Sequence, residues 1–513
     1  MELKDFMKHL NVEELDTVTG GLSCVVACCI LFFLIQKISY WYRVGRKTPP
    51  GPLGLPFVGY LPFFEKEPHK ALLDMREKYG NVISVKMGTK YVVFLNEYNV
   101  LKEVWNHPYG LDKAPDLFEH LKPAGLLNAN GEDWAEQRKY CLAASKDLGL
   151  GKDHWEDLIM DETTSFVEYL QKLNGKPTEI SHELVLSVIS NIGSLLIGRR
   201  LDKEKEADKL ELLADYSNVA LVFSGSSALA NLIPGMRKLL RILKISGYDK
   251  AAKTVKDFGK FAREEIDRHK NSPELKSQQD FINIYLEKLS EISTSQNKKN
   301  NYFSEVNLQG NVGALFLGAS DTIASSLGYI FRYMCKFKHV QDKVYTEIME
   351  NVGKDGRARY EERNNFPYTF AMMMEAQRFG SNVPLTGHRK AAGNIPVNGY
   401  IIPKGAEICA NLWAMHYDPD YWDQPEVFRP ERFLTPDGKA LIKHPKSYVP
   451  FSVGKRNCPG ERIAWMAILF YFTEIIKKFE ISTPPGIEPD FNVICGLVNR
   501  LTPQPLCFKE RKK

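Results

Sequence analysis

Four groups of residues in this 513-residue chain have the types and spacing to do chemistry. Cys458 lies in Phe451-Ser-Val-Gly-Lys-Arg-Asn-Cys-Pro-Gly460, where no second sulfur is near enough for a zinc knuckle or a dithiol pair; the nearest cysteine is Cys495. One thiolate beside two glycines and an arginine points to a flat cofactor with one axial ligand, a haem. Gly454 permits a turn that a Cβ would strain, and Gly460 lets the main chain come close to a ring face. Arg456 offers a fork of donors to a carboxylate such as a haem propionate. Pro459 suits the first turn of a helix, and the apolar run from Arg462 continues it, so Cys458 is expected at a helix N-terminus, where the dipole favours a thiolate. A thiolate on haem iron favours O–O cleavage.

The second group is Asp321-Thr322, an acid and an alcohol inside a long apolar pattern, Asn307 to Phe337. Burying both is costly unless something uses them. The third is Glu375 with Arg378, three residues apart on one helix face, followed by Arg432 in Phe428-Arg-Pro-Glu-Arg-Phe433. Trp134 and Arg138, at i and i+4, put an indole N–H and a guanidinium on one face; both only donate. The eleven histidines form no HxxxH or HExxH arrangement, so a separate metal site is not expected.

These elements occur in order and at the spacing of one known family. Phe451, Gly454, Arg456, Cys458 and Gly460 match FxxGxRxCxG, Glu375 and Arg378 match ExxR, and Arg432 falls in a PERF element. The chain resembles the microsomal cytochromes P450, and is most similar to the family-2-like group through Asn130-Gly-Glu-Asp-Trp-Ala-Glu-Gln-Arg138 and His416-Tyr-Asp-Pro-Asp420. The resemblance spans nearly the whole chain. It implies the cytochrome P450 fold, mainly α with a small β-rich part, binding haem b through Cys458. Trp134, Arg138 and Arg389 would contact the propionates, with His388 a weaker contact, and Glu375, Arg378 and Arg432 would form a structural network behind the haem loop.

The same resemblance makes Thr322 the oxygen-site hydroxyl and Asp321 the proton-relay acid. Two departures stand out: Ala319 replaces the usual glycine, and Ile323 stands where a second Thr or Ser is common. By analogy the substrate pocket is lined by Phe223, Phe316, Ala319, Val383, Leu385 and Leu497, all apolar, which favours a lipid, steroid, terpenoid or foreign hydrophobic compound. The implied reaction inserts one oxygen atom from O2, with NADPH electrons arriving through NADPH–cytochrome P450 reductase, and cytochrome b5 as a further donor. The chain has no completed GxGxxG of its own, since Gly149-Leu-Gly151 runs on to His154. Lys139 and Lys455 are the expected docking charges. Two alternatives share the cysteine loop: a haem-thiolate isomerase or dehydratase, and a non-catalytic haem-dependent lipid carrier or sensor, neither of which needs the acid–alcohol pair.

The elements that must position these groups follow from composition and periodicity. With 44% hydrophobic residues the chain buries a large core, and a net charge of +5 without a basic, aromatic-interleaved run argues against nucleic acid. Nine scattered cysteines suit a reducing compartment. Residues 18–36 form an apolar segment in which some 18 residues at about 1.5 Å each give roughly 27 Å, close to a bilayer core. Acids precede it and Lys37, Arg43, Arg46 and Lys47 follow. It reads as a transmembrane signal anchor, with 1–17 a lumenal tail and the rest cytosolic, in the endoplasmic reticulum membrane. Residues 37–56 make a basic, proline-rich hinge, and 57–513 a single catalytic domain.

Helical periodicity is expected over Phe64–Tyr79, Glu156–Leu173, Lys250–Arg268, Asn307–Phe337, Val340–Val352, Tyr368–Phe379 and Arg462–Phe479. Val82–Met87 and Tyr91–Leu95 read as strands, and the segments beginning at Gly399 and Ala406 as the two arms of a hairpin. Ser293 to Asn301 reads as a polar loop.

Overall fold

The computed structural model describes residues 23, 26–27, 30–35, 37–38, 42, 47–114, 125–148, 153–219, 232–233, 235–243, 247–275, 278–294 and 302–512. The chain is mostly helical with a small β part. In chain order the helices are α1 Pro68–Tyr79, α2 Tyr98–Asn106, α3 Gly131–Asp147, α4 Asp153–Lys172, α5 Ser181–Ile197, α6 Ala207–Asn218, α7 Met236–Leu243, α8 Tyr248–Asn271, α9 Phe281–Thr294, α10 Glu305–Lys336, α11 Lys338–Asn351, α12 Pro367–Gly380, α13 Leu412–His416 and α14 Glu461–Lys478, with a single turn at Gly125–Asn128 ahead of α3. The strands are β1 Val82–Met87, β2 Lys90–Leu95, β3 Arg389–Lys390, β4 Ile395–Val397, β5 Tyr400–Ile402, β6 Glu407–Ala410, β7 Phe479–Ser482, β8 Val493–Ile494, β9 Arg500–Leu501 and β10 Cys507–Glu510.

α10 is the axis of the molecule. Ser304 caps it by accepting a hydrogen bond from the Asn307 N–H, satisfying one of the donors a helix start leaves free. It packs against α5, α6, α8, α12 and α14. α12 is buried along nearly its whole length and α14 along its middle, and both are apolar around most of their circumference there, as helices enclosed on all sides must be. The start of α12 is held by Glu347 of α11, whose carboxylate accepts from the Tyr368 and Thr369 N–H groups. α10 is long and apolar enough to cross a membrane, but most of its apolar stretch lies inside the protein core.

The main sheet has the order β1-β2-β6-β3. The two expected strands, β1 and β2, form and pair antiparallel, and β2 then pairs parallel with β6, Val92 opposite Glu407. The hairpin expected between the Gly399 and Ala406 segments does not form. β5 instead folds back on β4 through Asn398 and Gly399, both at positive φ, the two-residue turn whose twist matches antiparallel strands. β6 is left free to join the first sheet.

The expected helices form with small shifts. Phe64 lies outside α1, which starts at Pro68, where the proline ring fits a first turn. Helix α9 runs on through Thr294, so Ser293 belongs to a helix; residues 295–301 of the expected loop lie outside the described residues. Most of the expected anchor, residues 18–36, and Phe223 also lie outside them.

Candidate haem and oxygen site

The cysteine loop turns on Gly454, at φ 80°, where an added Cβ would come within 3.1 Å of the Trp105 carbonyl oxygen. The loop is closed by Asn457 N–H to Gly454 O and Cys458 N–H to Phe451 O. Phe451 packs edge-on against Trp465 of α14, at 5.5 Å between ring centres, which ties the loop to the helix it feeds. Pro459 is not the first residue of that helix: Gly460 is its N-cap and Glu461 opens it. The Gly460 N–H therefore reaches the Cys458 sulfur directly, while burial pushes the thiol up and Arg138 opposes that rise. Gly460 has ordinary negative φ, so its value lies in space: an added Cβ there would meet only Cys458 Sγ, at 4.0 Å.

Cys458 is held within the fold yet leaves its side chain uncovered. Around it the structure gathers three guanidinium groups. Arg138 donates to Asn457 Oδ1 at 2.6 Å, Arg389 to the Gly110 carbonyl at 3.1 Å, and Arg456 to the Ala129 carbonyl at 2.6 Å and to Asn130 Oδ1 at 2.9 Å. Each of these acceptors is neutral. Trp105 and Trp134 provide ring faces, with Arg389 3.7 Å from the Trp105 centroid and Arg456 4.1 Å from that of Trp134. Arg389 is lowered to about 9, first by burial and then by Arg456 and Arg138. Mutually repelling cations, Arg389 among them buried, whose hydrogen-bond acceptors are all neutral suit a dianion, and a single thiolate beside them suits a flat ring with one axial ligand. The residues present fit haem, with Cys458 as the ligand and Arg138, Arg389 and Arg456 toward its propionates.

His388 turns elsewhere. Its Nδ1 is 2.7 Å from Glu407 Oε2, and Lys90 pairs with the same carboxylate at 2.5 Å.

On α10, the Thr322 hydroxyl donates to the Gly318 carbonyl at 2.7 Å, one turn back. Gly318 is exposed although Phe316 and Ser320 on either side of it are buried, and nothing lies within 4 Å of where its Cβ would be. Ala319 is only partly buried beside it. The Thr322 carbonyl accepts from Ser326 Oγ at 2.8 Å and from Asn382 Nδ2 at 3.1 Å, which locks this turn to the segment after α12. Asp321 is buried to 1% and forms an ion pair with Arg500 Nε at 2.6 Å. The sequence reading did not anticipate Arg500. A lone arginine in Val498-Asn-Arg-Leu501 carries no local signal.

Behind the loop, Arg378 forms a two-pronged pair with Glu375, 2.8 Å at both contacts, and donates to the His416 and Pro425 carbonyls. Arg432 Nε reaches Glu375 Oε1 at 3.1 Å and its other nitrogens bond the Asp423, Gln424 and Val427 carbonyls. Glu375 and Arg378 are fully buried, so the pair is satisfied on every side, as a buried ion pair must be.

Of the expected pocket residues, Val383, Leu385 and Leu497 are partly buried. Phe316 is not open to a pocket: at 1% exposure its ring packs against Phe258, and it serves the core. Lys139 and Lys455 are both exposed.

The fold and site together define a mainly helical haem-thiolate protein with an acid–alcohol turn on its central helix. The cytochrome P450 family model matches residues 49–508. Among curated proteins the chain is 32% identical to cytochrome P450 2J5 of Mus musculus, over 92% of this chain and 93% of that protein, and 30% identical to cytochrome P450 2J2 of Homo sapiens, over 93% and 94%. It is 26% identical to cytochrome P450 18a1 of Drosophila melanogaster, over 99% and 95%. The chain belongs to the cytochrome P450 family, in its family-2-like group, and is a haem-thiolate monooxygenase, an oxidoreductase.

Proposed function

We propose that this enzyme oxygenates a hydrophobic small molecule, of lipid, steroid, terpenoid or xenobiotic type, with electrons from NADPH passed on by NADPH–cytochrome P450 reductase, cytochrome b5 serving as a second donor. The observation that carries the reading is the Gly318–Thr322 turn, where an open backbone position in the core helix lies beside a hydroxyl held by its own carbonyl. When bound, haem with a thiolate ligand supplies oxygen binding and O–O cleavage.

The protein's own contribution is positional. Arg138, Arg389 and Arg456 would hold the haem propionates and Cys458 would ligate its iron. Thr322 presents its hydroxyl at the oxygen side of α10, and Asp321 supplies a proton to it. Ala319, Val383, Leu385 and Leu497 offer only apolar surface, which orients substrate by shape and excludes water. Phe223 completes that lining in this reading. Lys139, next to Arg138 on α3, and Lys455, within the cysteine loop, are exposed and attract an acidic redox partner.

Residues 18–36 anchor the enzyme in the endoplasmic reticulum membrane, with 1–17 lumenal, 37–56 the hinge and the domain 57–513 cytosolic. The described residues support this: Ile30, Leu31, Phe33, Leu34 and Ile35 are apolar and more than half exposed, the pattern of a helix whose surroundings are not water.

The test is NADPH oxidation by the full chain with purified reductase, across a hydrophobic compound library screened first by the shift of the ferric Soret band. Substrate-dependent product formation that requires both reductase and O2 supports the reading. Turnover without O2 would sink it.

A further inference from the structure

The β8–β9 hairpin brings Arg500 from near the C-terminus onto the middle of α10. Its Nε sits 2.6 Å from Asp321 Oδ1, and another guanidinium nitrogen bonds Asn218 Oδ1 at the end of α6. Asp321 Oδ1 also accepts from Ser325 Oγ at 3.3 Å, while Oδ2 has no partner among the described residues. A carboxylate at 1% exposure would shed its charge by taking up a proton if left alone. Arg500, with its side chain only 20% exposed, is the one cation paired with it among the described residues.

We propose that Arg500 is a positioning residue for oxygen activation: it keeps the Asp321 carboxylate ionised and fixes its direction beside Thr322, so that proton delivery depends on the hairpin that carries Leu497. This rests on the assignment of Asp321 as the relay acid, and it goes beyond that assignment by making a residue outside α10 responsible for the acid's state.

Two features support the coupling. The hairpin is short, with Val493 opposite Leu501 at its base and Ile494 opposite Arg500 at its loop end, so Arg500 stands three residues after Leu497 of the connecting loop. The hairpin is also anchored at its tip, where the Asn499 N–H donates to the Asn382 carbonyl at 2.7 Å, and Asn382 Nδ2 in turn donates to the Thr322 carbonyl. Arg500 and Asn499 thus reach α10 by two routes, one to Asp321 and one to Thr322. Displacement of the tip by a bound molecule would be felt at both partners of the acid–alcohol pair. The proton itself comes from water: Asp321 takes one up and releases it toward Thr322, and the Arg500 guanidinium stays charged throughout.

The experiment compares R500Q, R500K, D321N and D321N/R500Q as full-length haem-loaded enzymes with reductase. Product and peroxide formed per NADPH are measured, together with the infrared C=O band of a protonated carboxylic acid in the substrate-free protein. The expected result is normal haem content in R500Q and a coupled yield that falls about tenfold, less than loss of a proton-transferring acid can cost. A new acid C=O band should appear in R500Q and be absent from D321N/R500Q. R500K should restore most of the coupling, and the double variant should be no worse than D321N.

Unchanged coupling in R500Q without a new band, or losses in R500Q and D321N that simply add, would overturn the inference while leaving Asp321 as the relay. Normal coupling in D321N would overturn the relay assignment and this inference with it. If R500Q fails to retain haem, the same readings on R500K and Asn218→Ala decide the matter, since the latter frees the guanidinium from its other anchor.

Discussion

The Arg456 guanidinium lies 4.1 Å from the centroid of the Trp134 ring, joining the cysteine loop to α3 across more than 300 residues of chain. The two residues act as one wall of the propionate site: the ring fixes the plane of the guanidinium and leaves its edge free to donate. Trp134→Ala removes a partly desolvated cation–π contact of about 1 to 2 kcal/mol, and haem should leave about 5- to 30-fold faster. Transfer of haem to apomyoglobin, followed spectroscopically, gives the rate. An unchanged rate would show that the stacking does not hold the cofactor.

Arg378→Ala takes the two-pronged partner from the fully buried Glu375 carboxylate, leaving Oε2 without its donor, and frees the His416 and Pro425 carbonyls. The expected loss is about 3 to 5 kcal/mol. Urea unfolding should move to lower denaturant and purified protein should carry little haem. Normal haem loading would show that the network is dispensable.

Thr322→Ala leaves the α10 backbone intact and removes the hydroxyl. Peroxide released per NADPH should rise at the expense of product, by a factor on the order of ten or more. Substrate binding, read from the Soret shift, should change little. Equal product yield in the two proteins would remove Thr322 from the oxygen chemistry.

His416 makes stability depend on acid. Its Nε2 accepts from the Val449 N–H at 3.1 Å and its Nδ1 faces Ser381 Oγ at 3.0 Å, so the folded protein needs the neutral ring. Burial first, and then the Arg378 charge, lower it to about 3 from an ordinary value of 6.5. The unfolded chain therefore binds the proton first. Stability from this group is complete above pH 6.5 and is lost as pH falls toward 3. By about pH 5 the loss is about 2 kcal/mol, and His416→Gln should flatten the pH dependence of the urea midpoint by that amount. Parallel curves for the two proteins would refute the assignment.

Much of this was legible in the sequence because its signals are local. The periodicities of α10, α11, α12 and α14 each place a helix to within a few residues, since core helices carry an apolar pattern that little else produces. The cysteine loop was legible for a related reason: Gly454 and Cys458 do their work within ten residues of each other. What stayed hidden depends on distant partners. β6 reads as one arm of a hairpin because its neighbour in sequence is a strand, whereas it pairs with β3 on one side and, on the other, with β2, some 300 residues away. The Asn398-Gly399 turn was a readable clue to the β4–β5 pairing. Arg500 and Phe316 had no such clue. One is an isolated cation and the other an aromatic on a helix, and only the assembled fold separates an ion pair on α10 or a ring against Phe258 from an ordinary surface or pocket residue.

The pairing of β2 with β6 also sets an order of events during synthesis. Residues 92–95 must wait for 407–410 before the sheet can close, and Trp134 and Arg138 must wait longer still for the loop at 451–460. Contacts so far apart along the chain form slowly, and a long emerging polypeptide is exposed to trapping meanwhile. The cofactor can therefore be captured only after nearly all of the chain has left the ribosome. Chains that stop short of Cys458 lack the sulfur ligand and the loop that carries it, however well their amino-terminal helices have formed.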